Sequence, residues 1–282
     1  MLLKIPYANF DISNNWRIRI MTRMSNLKNI FNRIARKYKE TIWKYKLSNS
    51  SIRVISGGKI SIGKNVIITN SKIYIDGTSS LILGDNTTID GVEIRITNGG
   101  KISIDTHSII KRERNPVVPE IICDSGNISI SDHSLLQVER IWVRYGGELK
   151  IGQYTNINHG SEIRCDEKIS IGSFCGISYY VRIWDTNTHE QISTEQRRKR
   201  RIDYFPYLGY EKNRPKTKAV IIDDDSWIGE KVGILKGTII GKHVTVGFGT
   251  ILVNELVQPD SIVVQKCEIK TFHHKQKING QD

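Results

Sequence analysis

The sequence is poor in cysteine and has no long apolar run. Its four cysteines, Cys123, Cys165, Cys175 and Cys267, form no C-x-x-C pair, which excludes the spacing of a zinc ribbon or a thioredoxin motif. No apolar run approaches the roughly 18 residues of a membrane-spanning helix, and the N-terminus lacks the apolar region and cleavage site of a signal peptide. These absences predict a cytoplasmic protein with reduced thiols.

Apolar content is low and the charge is strongly positive. Hydrophobic residues make up 38% of the chain, and Lys and Arg exceed Asp and Glu by 13. A low apolar content is expected of a protein whose core is a narrow column. The positive charge favours an anionic partner. Residues 1–50 hold nine of the thirteen net charges, because eleven Lys or Arg stand there against Asp11 and Glu40.

The basic N-terminal part has a helical pattern. Between residues 25 and 47 apolar side chains recur at spacings of three and four, with Lys and Arg on the other face and Ser25 as an N-cap. We therefore assign residues 1–50 to a basic, amphipathic α-helical segment. Such a helix either lies on an anionic membrane surface or packs against the end of the next domain with its basic face in water.

A six-residue period organises residues 51–266. Six is the period of neither a strand nor a helix, and it is typical of a β-solenoid in which each hexapeptide makes one short strand and one corner. The aliphatic residues that show it most clearly are Ile151, Ile157, Ile163, Ile169, Ile171, Ile177, Ile183, Ile222, Ile228, Ile234, Ile240, Val246 and Leu252. We predict an all-β solenoid of about 8–9 coils, followed by a polar tail over residues 267–282.

The period breaks at residues 190–218, directly after His189. This excursion contains five consecutive basic residues, Arg197–Arg201. Loops of this length in compact domains are usually functional or disordered. The excursion could be an anion-binding lid or a solvated surface. We do not expect a nucleic-acid partner, because no nucleic-acid-binding fold surrounds the basic run.

The repeats resemble those of the hexapeptide-repeat acyltransferases, whose fold is a left-handed parallel β-helix. Two further stretches carry the resemblance: D-T-N-T-H at residues 185–189, and D-S-W-I-G-E-K-V-G-I-L-K-G-T-I-I-G-K-H-V-T-V-G-F-G-T-I-L-V at residues 225–253. The resemblance covers about residues 52–266. Within the family, the chain looks most like the O-acetyltransferases that modify sugars of bacterial capsules and lipopolysaccharides.

This resemblance implies an acetyl-CoA-dependent O-acetyltransferase without a metal. It implies direct transfer to a hydroxyl of a cell-surface polysaccharide, in a homotrimer whose active sites lie between neighbouring prisms. His189 is then the general base, since an imidazole can take a hydroxyl proton at neutral pH. Its other ring nitrogen needs an acceptor, for which Asp185 or a backbone carbonyl is available. Polysaccharide precursors are built at the inner face of the cytoplasmic membrane, where the helix over residues 25–47 would also fit.

The same resemblance assigns binding residues. The coenzyme A contacts that it implies are Trp227, Gly247, Phe248, Gly249 and Thr250. The resemblance also implies Asn158 as an acceptor-lining residue, to which we add His159 and Trp184. Two of these have plainer alternatives: His159 could be a surface residue, and Trp184 a partly buried aromatic at the trimer seam. Phe248 stands where the family has alanine.

Three other functions compete with this hypothesis. N-acetylation of a nucleotide-linked amino sugar would also suit a basic chain. A non-catalytic, membrane-associated β-helix scaffold would need no acetyl-CoA. A carbonic-anhydrase-like metalloenzyme would need three converging histidines, but Thr194 stands where a second ligand is expected after His189. We expect His107, His133 and His243 at solvated corners, because each follows an aliphatic anchor by three residues.

Overall fold

The chain winds into a parallel β-solenoid with three flat faces. The structure, a computed structural model, describes residues 45–113, 117–206, 213–266, 268 and 270–271. Each coil contributes one strand to each face, and each strand pairs in parallel with its equivalents in the neighbouring coils. The predicted solenoid is thereby confirmed. The described strands make nine coils and open a tenth, slightly more than the predicted number.

The strands are short, mostly of two to five residues, as a hexapeptide repeat requires. In chain order they are β1 (Tyr45–Ser48), β2 (Ser51–Val54), β3 (Lys59–Ile62), β4 (Val66–Thr69), β5 (Lys72–Ile75), β6 (Ser80–Leu83), β7 (Thr88–Asp90), β8 (Glu93–Thr97), β9 (Lys101–Ile104), β10 (Ile109–Lys111), β11 (Glu120–Asp124), β12 (Asn127–Ile130), β13 (Leu135–Leu136), β14 (Arg140–Val143), β15 (Glu148–Ile151), β16 (Asn156–Ile157), β17 (Glu162–Cys165), β18 (Lys168–Ile171), β19 (Gly176–Ile177), β20 (Arg182–Trp184), β21 (Val220–Ile222), β22 (Trp227–Ile228), β23 (Gly233–Leu235), β24 (Ile239–Ile240), β25 (Thr245–Val246), β26 (Ile251–Val253), β27 (Leu256–Val257) and β28 (Ile262–Val263).

Every third strand lies on the same face. Face 1 contains β1, β4 and so on to β28; face 2 runs from β2 to β26, and face 3 from β3 to β27. We call the turn from face 1 to face 2 the first corner, that from face 2 to face 3 the second corner, and that from face 3 to face 1 the third corner.

The core is a column of branched aliphatic side chains that point inward from all three faces. On face 2, Ile163, Ile183 and Ile234 stack in register and are at most 1% exposed. Burial of one such side chain stabilises a protein by about 1.5–3 kcal/mol. One or two inward residues per strand therefore suffice, which explains the low apolar content of the sequence.

The helical prediction is wrong for Tyr45–Leu47. These residues form most of β1, which pairs with β4, and Leu47 lies opposite Ile68 of the core. Stacking on the second coil offers Leu47 a buried partner, which overrides the helical spacing. The rest of the predicted helix, residues 25–44, lies outside the described residues. So do Cys267 and residues 272–282 of the predicted tail.

The excursion leaves the solenoid at the second corner, after β20, and returns at β21. Its base is closed by an antiparallel bridge between Thr186 and Thr217. It contains one helix that the sequence analysis did not predict, α1 (Thr194–Asp203), which buries none of its residues. In the described part of the chain, no helix combines the length and apolarity needed to cross a membrane.

Candidate active site

The predicted site residues fall into two groups at opposite edges of face 2. His189, Asp185 and Trp184 lie at the second corner, while Asn158 and His159 lie at the first corner. The strands between the two corners are three to five residues long. At roughly 3.3 Å per residue, they separate the two groups by about 10 Å or more. One chain thus presents two candidate regions, one at each of two corners.

His189 stands at the base of the excursion and is exposed. Its backbone N–H donates to the carbonyl of Asn187 at 2.7 Å, and the Asn187 N–H donates to the carbonyl of Lys216 at 3.0 Å. The backbone around the histidine is therefore fixed by the bridged base of the excursion. An acceptor from solution can reach an imidazole in this position.

Asp185 is completely buried and holds a turn of the preceding coil. Its Oδ1 accepts from the backbone N–H of Asp166 at 2.8 Å, and its Oδ2 accepts from those of Glu167 at 2.8 Å and Lys168 at 2.7 Å. Burial raises the pKa of the carboxyl, although these hydrogen bonds act to lower it. Sequence reasoning missed this structural role. Orientation of His189 by Asp185 stays a prediction.

Trp184 packs in an aromatic and arginine layer on face 2. The Arg164 guanidinium lies 4.6 Å from the centre of its ring and 6.0 Å from that of Trp142. The indole Nε1 is buried and has no hydrogen-bond partner among the described residues. One ring face is thus occupied by Arg164, which favours the partly buried alternative for Trp184 over free stacking on a sugar.

His159 lies in a cluster at the first corner. The Glu113 carboxylate contacts its Nδ1, and the Tyr180 hydroxyl lies 3.4 Å from its Nε2. Glu113 also lines a cavity of about 340 Å³, together with Lys72, Glu93 and Arg112. Sequence reasoning did not select Glu113. The only signal was the longer coil at this point, where a small loop is inserted between β10 and β11.

Asn158 precedes this histidine and faces out at the edge of face 1. Its backbone N–H donates to the carbonyl of Ile177 at 3.0 Å, and its side-chain oxygen accepts from the Asn156 amide at 3.5 Å. The structure thus brings Asn158 and His159 together, as two neighbouring polar side chains at one corner.

The predicted coenzyme A residues lie in the last coils. Trp227, on face 1, is 66% exposed, and Phe248, at the first corner, is 67% exposed. The Lys231 ammonium lies 5.2 Å from the centre of the Phe248 ring. The hydroxyl of Thr250 is engaged instead, because it accepts from the backbone N–H of Gln265 at 3.2 Å. The two aromatic side chains are therefore available to a ligand, whereas the Thr250 side chain holds the next turn.

Gly247 and Gly249 shape the same corner. A β-carbon on Gly247 would lie 2.8 Å from a methyl group of Val264, so the next coil leaves no room for a side chain. Gly249 has a φ of +68°, in the left-handed region that favours glycine, and its N–H donates to the carbonyl of Glu230 at 2.9 Å. Because neither glycine carries a side chain, the backbone next to Phe248 at this corner is not covered by side-chain atoms of Gly247 or Gly249.

The described cysteines do not have the environment of nucleophiles. Cys123, Cys165 and Cys175 are free and buried in the core. Burial raises the pKa of Cys175 to about 11, and it also raises those of the other two. Thiolates, which are the reactive form, are disfavoured at all three positions. Among the described residues, no group of three or more His, Cys, Asp or Glu is arranged to hold a metal ion.

Comparison with known proteins finds similarity only among solved structures. No family model and no curated protein matches the chain. The polysialic acid O-acetyltransferase OatWY is 20% identical over 82% of this chain and 94% of its own, with a TM-score of 0.46. The polySia-specific acetyltransferase NeuO is 19% identical over 84% and 90%, with a TM-score of 0.34. A mutant of AntD, an N-acyltransferase from Bacillus cereus, in complex with dTDP and coenzyme A, is 18% identical over 86% and 90%, with a TM-score of 0.24.

Proposed function

We propose that the protein is an acetyl-CoA-dependent O-acetyltransferase that modifies a sugar hydroxyl of a bacterial cell-surface polysaccharide, such as capsule or lipopolysaccharide O-antigen. One observation carries the proposal. An exposed histidine, His189, is fixed at the base of an excursion from a hexapeptide solenoid, and the coils that follow expose Trp227 and Phe248. These are the positions at which the acyltransferase resemblance expects the general base and the coenzyme A contacts.

The proposed reaction is a direct transfer. His189 takes the proton of the acceptor hydroxyl as its oxygen attacks the thioester carbonyl; the new C–O bond forms and the C–S bond breaks. Buried cysteines with raised pKa values support a mechanism without an acyl-enzyme. Backbone N–H groups at a coil corner are suitable donors to the developing oxyanion.

Acetyl-CoA is the proposed acyl donor, and no metal takes part in the scheme. Trp227 and Phe248 would supply apolar contacts to the donor. Gly247 and Gly249 would let it approach the backbone closely, since they carry no side chain. Lys231 adds a cation beside Phe248, which suits a donor that carries phosphates. The Thr250 hydroxyl and backbone already make hydrogen bonds within the solenoid, so Thr250 would contribute by fixing the shape of this corner.

The remaining elements of the proposal concern assembly and location. We propose a homotrimer with its active sites between neighbouring chains, because His189 and Phe248 lie at different corners of one prism. Asn158, His159 and Trp184 are the proposed acceptor-lining residues, and the acceptor is a saccharide. The proposed location is the cytoplasm, with the basic segment over residues 25–44 at the inner face of the membrane.

The test is acetyl-CoA turnover by the purified protein with a panel of bacterial oligosaccharides. Released thiol and the mass of the acceptor are measured for wild type, His189→Ala and the control His243→Ala, whose side chain lies on an exposed corner. We expect an acetylated product, a roughly 10²–10⁴-fold loss in His189→Ala, and no loss in the control.

Other outcomes point to the competing functions. Binding of acetyl-CoA without a saccharide product would move the search to nucleotide-linked amino sugars and N-acetylation. Absence of acetyl-CoA binding would contradict the proposal and favour the non-catalytic scaffold. An active wild type with an equally active His189→Ala would remove His189 as the base and leave the transferase activity in place.

A further inference from the structure

A contact between the side chains of Glu113 and His159 joins two separate coils. Glu113 follows β10, and His159 follows β16, two coils further along. The carboxylate contacts Nδ1 of the imidazole, and both contacting atoms are shielded from solvent. The coil between them turns the first corner with one residue fewer, from Leu136 to Ile141, than the six steps of a full hexapeptide. The Glu113 side chain therefore reaches His159 across a shortened corner.

The ring of His159 is also fixed by aromatic side chains of the next coil. The ring centres of Tyr179 and Tyr180 lie 4.7 and 5.4 Å from that of His159, both in edge-on arrangements. Gly160 makes this possible: its φ is +72°, and a β-carbon would lie 2.3 Å from the Tyr180 ring. Carboxylate and aromatic edges together hold the imidazole in one orientation.

This arrangement assigns different tasks to the two ring nitrogens. A carboxylate accepts a hydrogen bond, so the proton that faces Glu113 stays on Nδ1. The nitrogen that exchanges a proton with other molecules is then Nε2. Its described neighbour is the Tyr180 hydroxyl at 3.4 Å, and Tyr180 is 44% exposed. A bound molecule at this corner can therefore reach Nε2 in place of, or beside, the tyrosine hydroxyl.

The other described histidine–carboxylate pairs join residues that are closer in sequence, and the pair of His243 is also far more exposed. His133 pairs with its chain neighbour Asp132, and His243 pairs with Asp260 at 2.9 Å. The His243 side chain is 73% exposed, against 26% for His159. Exposed pairs of this kind contribute little to stability and hold the imidazole only weakly in one orientation. The pair of His159 and Glu113 is thus set apart by the distance in sequence that it spans and by the two edge-on tyrosine rings around its imidazole.

The first corner connects this pair to the proposed coenzyme A residues. Above His159, the N–H of Lys231 donates to the carbonyl of Tyr179, and that of Gly249 donates to Glu230, both at 2.9 Å. These bonds place His159 and Phe248 on the same edge of the solenoid, three coils apart. Three inter-strand spacings are roughly 14 Å. His189, in contrast, lies at the second corner.

We propose that His159, held by Glu113, is the general acid that protonates the sulfur of coenzyme A as it leaves. This role rests on the proposed function. Nε2 donates its proton to sulfur as the C–S bond breaks and the acceptor C–O bond forms, while the hydroxyl proton passes to His189 of a neighbouring chain in the proposed trimer, since the two histidines lie at different corners of one chain. Solvent then returns a proton to Nε2 and removes the one from His189. Glu113 is a positioning residue, since it acts through the imidazole.

The test compares two acyl donors that differ in their need for an acid. Acetyl-CoA releases an alkyl thiolate, whereas S-(4-nitrophenyl) thioacetate releases a stabilised thiolate that leaves without a proton. Initial rates are measured with both donors and the oligosaccharide that wild type acetylates. We expect His159→Gln to lower kcat with acetyl-CoA by roughly 10²-fold and with the activated donor by less than about 3-fold. Glu113→Gln, which keeps an acceptor oxygen, should show the same donor dependence with a smaller loss.

The controls separate this role from a structural one and from the proposed function. His243→Gln removes an exposed pair of the same chemistry and should leave both rates unchanged. His189→Ala should lose both activities equally. An active wild type whose His159→Gln variant is equally slow, or equally fast, with both donors overturns the acid role alone. A wild type that acetylates no acceptor overturns the proposed function and this role with it.

Discussion

At the scale of single residues, a buried carboxylate next to the candidate base serves the fold. Asp185, itself fully buried, accepts hydrogen bonds from three backbone N–H groups of residues 166–168. Asp185→Asn turns one oxygen into an NH₂ group that faces N–H donors, so we expect a loss of about 1–3 kcal/mol in the free energy of unfolding. Urea unfolding measures it. Asp203→Asn, which breaks an exposed pair with Lys199, should cost less than about 0.5 kcal/mol.

The same variant tests whether Asp185 also orients His189. If it does, kcat per folded Asp185→Asn molecule falls, because the imidazole loses its fixed tautomer. An unchanged kcat in a destabilised variant would remove that orienting role and leave the turn as the reason for the aspartate. Equal stability of Asp185→Asn and wild type would contradict the turn-holding role itself.

Asp76 makes the stability of the second corner sensitive to acid. Burial acts to raise its pKa, but the hydrogen bonds that it accepts, among them those from Thr78 and Asn98, outweigh burial and lower the pKa from 3.8 to about 2. A lowered pKa means that its stabilisation is complete above pH 3.8 and is lost as the pH falls towards 2. After allowance for solvent screening, we expect a loss of about 1 kcal/mol in this window.

The measurement is urea unfolding of wild type and Asp76→Asn at pH 5 and pH 2.5. The difference in unfolding free energy between the two proteins should shrink at the lower pH, because the wild-type carboxyl becomes protonated there. A difference that stays constant or grows on acidification would contradict the assignment.

Residue positions in the core were predictable, whereas contacts at the corners were not. The six-residue period selects inward residues such as Ile163 and Ile183 directly, since every sixth residue must face the column. The contact between Glu113 and His159, two coils apart, depends on a loop inserted after β10 and a shortened corner in the coil between them. The six-residue period does not indicate which neighbouring coil an inserted loop will contact. The turn-holding role of Asp185 was missed for a related reason: its partners lie in the preceding coil.

At the scale of elements, α1 is a helix stabilised by its own ends rather than by packing. Ser193 accepts from the N–H of Gln196, and the Gln196 side chain accepts in return from the N–H of Ser193, a capping box. None of its residues is buried. We expect Ser193→Ala to weaken the helix by about 1 kcal/mol, roughly a fivefold rise in amide exchange over residues 194–203, without a change in the solenoid.

Hydrogen exchange read by mass spectrometry tests this, with Ser178→Ala on the solenoid as the control that should leave the helix unaffected. Faster exchange throughout the solenoid in Ser193→Ala would contradict the independence of α1. Unchanged exchange in the helix would mean that contacts other than the cap hold it.

The elements that the sequence did not predict are those in which the spacing of apolar residues is absent or misleading. Helix α1 has no apolar stripe, so a search for amphipathic spacing passes over it, although the capping box was present in the letters. β1 was assigned to a helix because Tyr45 and Leu47 continue the spacing of the preceding segment. In the structure Leu47 lies opposite Ile68 instead, and burial outweighs local propensity.

At the scale of the whole molecule, the outward side chains change character along the solenoid. Strands of the first coils present polar residues such as Lys72, Glu93 and Ser103, with single apolar ones such as Ile67, Ile82 and Ile109 between them. The last coils present apolar ones on all three faces: Trp227, Ile239, Ile251, Val253, Leu256 and Ile262 are each between 44% and 79% exposed. Apolar surface gathered in one region favours association. We therefore expect the proposed trimer to be held chiefly by the last coils.

Two lysine substitutions test this expectation, one on face 2 in the last coils and one on face 3 in the first coils. Ile251, in the last complete coil, is 58% exposed, and Ile82, in the second, is 50% exposed. Light scattering on the eluting protein should give three times the chain mass for wild type and for Ile82→Lys. Ile251→Lys should shift the mass towards one chain and reduce acetyl-CoA turnover, because sites between chains are lost with the trimer. A wild-type monomer with full turnover would contradict both the trimer and the shared site; an Ile251→Lys trimer would place the interface elsewhere on the prism.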